Sequence, residues 1–456
     1  MANNHTTLSS LFTGIADAIR LKNGSTGAIV ADNFPVEIEN LRTGFNYSNH
    51  SVTAIADYEF KNCEDIKSVD CYNLSSIGNS AFENCKNLKF VILYEGVAIV
   101  GENAFKGCSP DLTIYCAFDS QPETWHANWN PDGCEVIWGF APVKAWNISA
   151  TKNDDVTAKL YNDIQNEGKY SLVISGSGDM ANFSPYDTPD SPAQNQPWEG
   201  YRANILFCNI AHGVTSIGIY AFAYCKSITS IVIPDSVTSI GDNAFENCDS
   251  LPSVTIPDGV TSIGLGAFRG CNSLTSIVIP DRVTSIGIYA FSECASLTSI
   301  IIPDSVTSIG YGAFNECYNL TNVHITDISA WCNIAFPVNI SANPLSLGAS
   351  LYLKGELLTK IFIPDNVTSI GTYTFYRYNS LTAITIPDSV TVVGLGAFQE
   401  CKNLTSISYI GTIDKWNAIT FKTGYSSWDH GTGDYTIYCT DGDIAKDGTI
   451  TYHTTE

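Results

Sequence analysis

CKSITSIVIPDSVTSIGDNAFEN (residues 225–247), CDSLPSVTIPDGVTSIGLGAFRG (248–270), CNSLTSIVIPDRVTSIGIYAFSE (271–293) and CASLTSIIIPDSVTSIGYGAFNE (294–316) follow one another without interruption. Cys225, Cys248, Cys271, Cys294 and Cys317 recur every 23 residues, as do Pro234, Pro257, Pro280 and Pro303. A fixed period of this length specifies a solenoid, in which one unit is too small to bury its apolar side chains and the stacked array is what folds.

Within the unit, Ile228, Ile231, Ile233, Val237, Ile240, Ala244, Phe245 and Cys248 are the apolar positions. Alternation across residues 231–233 predicts a short strand with Val232 pointing outward. Pro234 ends it, because proline has no N–H for a ladder. Asp235 and Ser236 supply a turn, and residues 237–240 a second extended piece. Gly241 is read as a sharp bend, and residues 243–248 as about one helical turn.

IPDSVTSIG followed by AFxxC resembles the BspA-like class of leucine-rich repeats, over roughly residues 51–140 and 208–410. The resemblance implies a β-rich leucine-rich-repeat solenoid of short strands and one-turn helices, and a role in adhesion and surface recognition rather than catalysis. Repeat scaffolds carry many unrelated partners, so the motif speaks more to fold than to ligand.

The chain of 456 residues is long enough for two or three domains. Its 46 acidic and 23 basic residues give a net charge of -23, which reads against nucleic acid or an anionic membrane as a partner. Charged residues are only 15% of the chain and aromatics 11%, a balance that favours a packed core over disorder. Asp235, Asp258, Asp281, Asp304, Asp365 and Asp388 recur at one position. On rungs about 5 Å apart such carboxylates repel by roughly 0.8 kcal/mol in water, a tolerable cost. They are read as solvent-facing turn residues, with a calcium-binding column as the alternative. Nine of the 15 cysteines (63, 85, 108, 225, 248, 271, 294, 317 and 401) occupy one slot, and Tyr378 takes it once. One per rung, they do not converge as zinc ligands must, so they are expected to be free, buried thiols.

The N-terminal stretch lacks a basic start followed by an unbroken apolar run, which reads against a secretory signal. Leu8, Leu11, Phe12, Ile15 and Ile19 recur at helical spacing, and a second short helix is expected from about Asp32, with Val36, Ile38 and Leu41 on one face. Residues 8–41 resemble a leader module of structural and tail-associated proteins of phages and prophages of Firmicutes. That resemblance implies that residues 1–45 dock the repeats onto a larger particle; a helical cap over the first rung is the other reading.

A first array over residues 46–140 runs through Phe60 and Cys63, Phe82 and Cys85, and Phe105 and Cys108, then ends in Trp125, Trp129 and Trp138. Those rings are expected to close the core, with sugar stacking as an alternative. Residues 141–207 break the period and predict strands at 146–148, 156–161 and 170–175, either a β-type lead-in and capping segment or a linker. The main array follows at 208–410. There 61 residues separate Pro303 from Pro364, so one unit carries about 15 extra residues, near 327–347, expected as a protruding loop or small hairpin. Residues 411–456, with Trp416, Trp428 and a turn at Asp441 and Gly442, form a second aromatic cap.

No HExxH, P-loop or GxSxG arrangement is present, and catalytic, metal and cofactor sites are all expected to be absent. What recurs is an outward column: Val232, Thr255, Val278, Ile301, His324, Phe362, Thr385 and Ser408, each between two inward residues. This is the candidate binding surface, although β-branched residues also favour strands for their own sake. The expectation from residues and resemblances together is a non-enzymatic binding protein on a phage or prophage tail, recognising host-surface protein or glycan, with phage tail proteins as partners through residues 1–45. A BspA-like cell-surface or secreted adhesin and an intracellular interaction scaffold are the alternatives. No nucleic acid and no membrane insertion are expected, and no stretch reaches the roughly 20 apolar residues of a membrane span.

Overall fold

A computed structural model of the chain describes residues 45–47, 52–71, 74–164, 166–184, 195–337, 342–423 and 427–453. The expected attachment helix, with Leu8, Leu11, Phe12, Ile15 and Ile19, lies outside the described residues, as does the second helix expected near Asp32. The chain divides into two compact units between Phe140 and Ala141. Both are β-solenoids with little helix.

In the first unit, Phe45–Tyr47, Ile66–Asp70, Phe90–Leu93, Thr113–Cys116 and Glu135–Trp138 form one parallel ladder. Ala54–Ile55, Ser76–Ile77 and Ile99–Val100 form a second. Phe60, Phe82 and Phe105 stack one per rung with centroids 5.4 and 5.3 Å apart and planes within 6°. Trp129 ends the stack edge-on to Phe105 at 5.8 Å, and Trp125 and Trp129 are buried. An edge-on ring suits a terminus, because its positive rim meets the negative face of the last phenyl ring and leaves no open face for a further rung.

The second unit begins with an antiparallel meander of Lys144–Asn147, Asp155–Asn162 and Tyr170–Asp179. The last of these strands serves as template for both solenoid ladders. Its first half pairs in parallel with Ile205–Ile210, and Gly178 and Asp179 pair with Val214 and Ser216. From there the first ladder continues through Ser230–Val232, and the second through Ser239–Ile240, Ser262–Ile263, Ser285–Ile286 and Ser308–Ile309. The 23-residue period places like on like: Ile277 sits beside Ile300, and Ile263 beside Ile286. Each fully buried Ile or Phe contributes about 1.5–3 kcal/mol, so the sum over rungs outweighs the cost of ordering them.

Residues 243–248 are a run of turns and not the helical turn that the sequence suggests. Asn243 and Asn247 have φ of 53° and 57°, and the equivalent pairs Gly266 and Gly270, and Tyr289 and Glu293, share this left-handed backbone. As a result alternate N–H groups face different partners. Ala244, Glu246 and Cys248 bond within the turn, while Asn243, Phe245 and Asn247 donate to Leu265, Ala267 and Arg269 of the next rung at 2.7–2.8 Å. A helical turn would aim its N–H groups along the helix axis and not sideways at the next rung. Gly241 also has a different role from the expected bend. Its φ is outside the left-handed region, but a Cβ there would sit 2.6 Å from the backbone nitrogen of Ile219, so the rungs touch only because no side chain intervenes.

The described part of the insertion packs inward and does not protrude, while the small hairpin that the sequence also allows is formed just beyond it by Ser350–Leu353 and Glu356–Leu357. Ile328–Cys332 forms a short helix capped by Asp327, and Pro344–Leu347 a 3-10 turn capped by Asn343. Trp331, Cys332, Ile334, Phe336, Leu345 and Leu351 are buried in the main core. Beyond it, Lys360–Phe362, Ala383–Pro387, Ser406–Ile410 and Thr436–Tyr438 resume the first ladder, closed by antiparallel Gly442–Ala445 and Ile450–Tyr452. Trp428 stands edge-on to Phe398 at 5.9 Å and 87°, the arrangement that also ends the first unit.

Candidate functional site

Strand alternation fixes the outward column. Ile231 and Ile233, Val254 and Ile256, Ile277 and Ile279, Ile300 and Ile302, Val323 and Ile325, Ile361 and Ile363, and Ile384 and Ile386 are all buried, and the residue between each pair faces away from the core. The ladder aligns Val278, Ile301 and His324 in one row, with Thr255 bridged to Val278. Phe362, Thr385 and Ser408 form another row. Val278 and Phe362 are 52% and 59% exposed.

Val232 and Phe362 are not ladder partners in the row that runs from Thr255 to His324. Val232 aligns with Asn209, which is buried and whose amide oxygen and nitrogen lack hydrogen-bond partners. Between His324 and Phe362 the structure interposes Tyr352, because Ser350–Leu353 adds a strand. The imidazole of His324 and the phenol ring of Tyr352 stack at 4.9 Å with planes 23° apart. Burial lowers the His324 pKa, so the ring is held neutral and stacks as an aromatic. Tyr438 extends the second row beside Ser408 and is 45% exposed. The alternation in SLYL, matching NVHI at Asn322–Ile325, was the signal for Tyr352. It was masked by the irregular spacing of the insertion.

Strand Ser350–Leu353 belongs to the first ladder alone. Between Ser299–Ile301 and Lys360–Phe362 that ladder holds Asn322–Ile325 and Ser350–Leu353, whereas the second passes from Ser308–Ile309 through a bridge at Ala335 to Ser369–Ile370. Chain direction reverses after Leu353 into Glu356–Leu357, which pairs antiparallel with it. At the ends of these strands lies a depression of about 590 Å³ lined by Asp304, Thr326, Asp327, Leu353, Lys354 and Pro364.

The Asp column stays spread over its rungs. Asp388 pairs with Lys415 at 2.6 Å, and Asp304 accepts from the Thr326 hydroxyl at 2.5 Å. Among the described residues no three His, Cys, Asp or Glu side chains converge to hold a metal. The column cysteines are free, and Cys85, Cys108, Cys248, Cys271, Cys294, Cys317 and Cys401 each reach a carbonyl of the rung before. Among the described residues no helix is long and apolar enough to cross a membrane.

Residues 40–115, 215–342 and 345–428 match the BspA type leucine rich repeat region, in six copies. No curated protein matches the chain. Among solved structures, a leucine-rich repeat protein from Bacteroides ovatus is 26% identical over 55% of this chain and 69% of its own, with a TM-score of 0.33. A leucine-rich repeat protein from Eubacterium ventriosum is 24% identical over 59% and 72%, with a TM-score of 0.34. A leucine rich cell surface protein from Faecalibacterium prausnitzii is 21% identical over 82% and 87%, with a TM-score of 0.23. With more than half of its length matched by the repeat model and the rungs stacked as that repeat requires, the chain belongs to the BspA-type leucine-rich repeat family.

Proposed function

We propose that the chain is a non-catalytic adhesion protein, displayed at a bacterial surface or secreted, whose repeat scaffold engages cell-surface protein or glycan through the outward strand column. The family supports a binding scaffold, and the observation that carries the reading is the aligned row from Thr255 through Val278 and Ile301 to His324, with Val278 half exposed on a rigid ladder. Rows of this kind give weak contacts that add up when many rungs or many copies engage together.

The test is adhesion of the labelled protein to intact cells, comparing the native chain with Val278→Asp and Phe362→Asp. Both side chains face solvent, so the fold is expected to survive. Loss of adhesion with an unchanged melting curve supports the reading, and undiminished adhesion in the double variant overturns it.

The likeness of residues 8–41 to phage tail-associated leaders favours a second reading, in which residues 1–45 seat the same scaffold on a particle. Protein beginning near Thr43 separates the two. The adhesin keeps its cell binding without the leader, whereas a tail protein loses co-purification with virion proteins.

A further inference from the structure

We propose that the strand Ile450–Tyr452 is a docking edge for a second copy of this chain, the two strands pairing antiparallel about a two-fold axis at Thr451. This pairing involves no ligand and does not rest on the recognition reading above.

Ile450–Tyr452 is the last strand of the first ladder of the second unit, and among the described residues none pairs with its outer side. Its register decides which backbone groups are left over. Ala445 donates to Thr449 at 2.8 Å and His453 to Asp441 at 3.0 Å, so Thr451, midway between, is the residue that exchanges bonds with Asp443. The N–H and C=O groups of Ile450 and Tyr452 therefore point away from the sheet. Their side chains are uncovered as well. Ile450 lies opposite the buried Ile444, and Tyr452 opposite Gly442, which puts both on the core side. Ile413 of the capping helix Ile413–Asn417 stands behind Gly442, 2.8 Å from where a Cβ would be. One strand further out, Ile450 is 40% and Tyr452 65% exposed.

Exposed edges are normally blunted by charge or proline. The edge strand that opens the same unit, Lys144–Asn147, carries Lys144, with Pro142 two residues ahead. Ile450–Tyr452 carries neither, on a chain whose net charge of -23 opposes self-association elsewhere.

A second copy fits this edge residue by residue. With the axis at Thr451, Ile450 of each copy faces Tyr452 of the other, and Thr451 faces Thr451. The outward N–H and C=O groups then bond at the Ile450 and Tyr452 positions, and the two threonines form the close, non-bonded pair between them. Isoleucine against tyrosine and threonine against threonine are favourable cross-strand pairs. The same register prolongs the outward row. Phe362, Thr385, Ser408, Tyr438, Asp443 and Thr451 are successive ladder partners, and Thr451 of the second copy comes next. A foreign strand would use the same backbone groups, but the chain's own strand also matches the side chains and brings no charge. Three residues a side fall below the roughly 1,200 Å² of a stable interface, so the pairing is reversible and grows where copies are crowded.

The experiment is sedimentation equilibrium of the full chain from about 1 to about 500 µM, the range of weak interfaces. The native mass is expected to rise towards twice that of the monomer. Ile450→Lys places charge on the edge, and Tyr452→Pro removes an N–H that the monomer does not use. Both are expected to keep the native melting curve and to weaken association about tenfold or more. In Thr451→Cys the introduced thiols face each other with Cα atoms about 4.5 Å apart, so oxidised glutathione should link two copies at position 451, located by peptide mapping. A native chain that stays monomeric throughout overturns the proposal and leaves the edge to a strand of another protein or to none. A dimer that both edge variants retain, or a Thr451→Cys protein that links only through Cys63 or Cys134, overturns it as well.

Discussion

The thiol of Cys294 donates to the carbonyl oxygen of Phe268, 3.1 Å away on the preceding rung, and Cys248, Cys271, Cys317 and Cys401 make the same bond at 2.9–3.3 Å. This explains why the slot holds cysteine and not alanine. Cysteine is small and apolar enough for these buried positions, and it still offers a weak donor to a carbonyl at the seam between rungs. Cys294→Ala is expected to lower unfolding free energy by about 1–2 kcal/mol in urea titrations, from the lost bond and the small void together. In the folded protein a thiol reagent should label chiefly the half-exposed Cys63 and Cys134, and all 15 cysteines only after unfolding.

Alkali is expected to loosen the array. Burial pushes the thiols of Cys225, Cys271, Cys317 and Cys401 up to about 12, against an ordinary value of 9.0. The fold thus favours neutral thiols, whereas the unfolded chain ionises first and binds fewer protons. Their contribution is fully present below about pH 9 and is lost as the pH rises towards about 12. Urea midpoints should fall between about pH 8 and about pH 10.5, with a shallower fall in Cys271→Ala.

Glycines of the repeat divide into two kinds, and substitution tells them apart. A Cβ on Gly310 would lie 2.5 Å from the Ile288 backbone nitrogen, so Gly310→Ala must push two rungs apart and should cost about 2–4 kcal/mol. Gly259 occupies the slot where Ser236, Ser305 and Ser389 donate to a carbonyl of the preceding rung at 2.7–2.8 Å. Gly259→Ser is expected to stabilise by about 0.5–1 kcal/mol through that bond and a stiffer unfolded chain, read as a higher melting temperature.

At the left-handed positions the opposite exchange should help. Glu316 has φ of 63°, where the equivalent Gly270 has 69°. Glu316→Gly relieves a backbone cost of about 1–2 kcal/mol against a smaller entropic loss, for a net gain of up to about 1 kcal/mol by calorimetry.

The caps should fail locally. Trp428→Ala uncovers the face of Phe398 and is expected to remove about 2–3 kcal/mol. Contacts in a solenoid are between neighbouring rungs, so hydrogen-exchange protection should drop around Phe398 and Cys401 while Phe245 and Phe268 keep theirs.

Much of this was legible in the repeat. The 23-residue spacing requires that Phe lie on Phe and Ile beside Ile, and the rings of Phe245 and Phe268 do stack at 5.3 Å. Alternation around Pro234 and Pro257 identified the inward and outward residues without coordinates. The rings that close each array were legible too, as bulky aromatics where the period ends.

Three features were not. The turns at residues 243–248 follow a local pattern that also suits a helix, and the deciding term is a row of N–H bonds to the next rung, which no single unit contains. The role of Gly241 is set by its distance to Ile219, 22 residues earlier. The insertion reads as a loop because its apolar residues lack the period, yet Trp331 and Leu351 find the core by packing against rungs on either side.

By itself, then, the sequence determined the period, the inward and outward sides of each strand and the family, because these depend on residue order within one unit. Only the tertiary structure decided that Tyr352 stands beside His324 and that a depression opens at the ends of their strands. Both follow from the unequal number of strands in two ladders, a property of how rungs stack that local sequence does not encode.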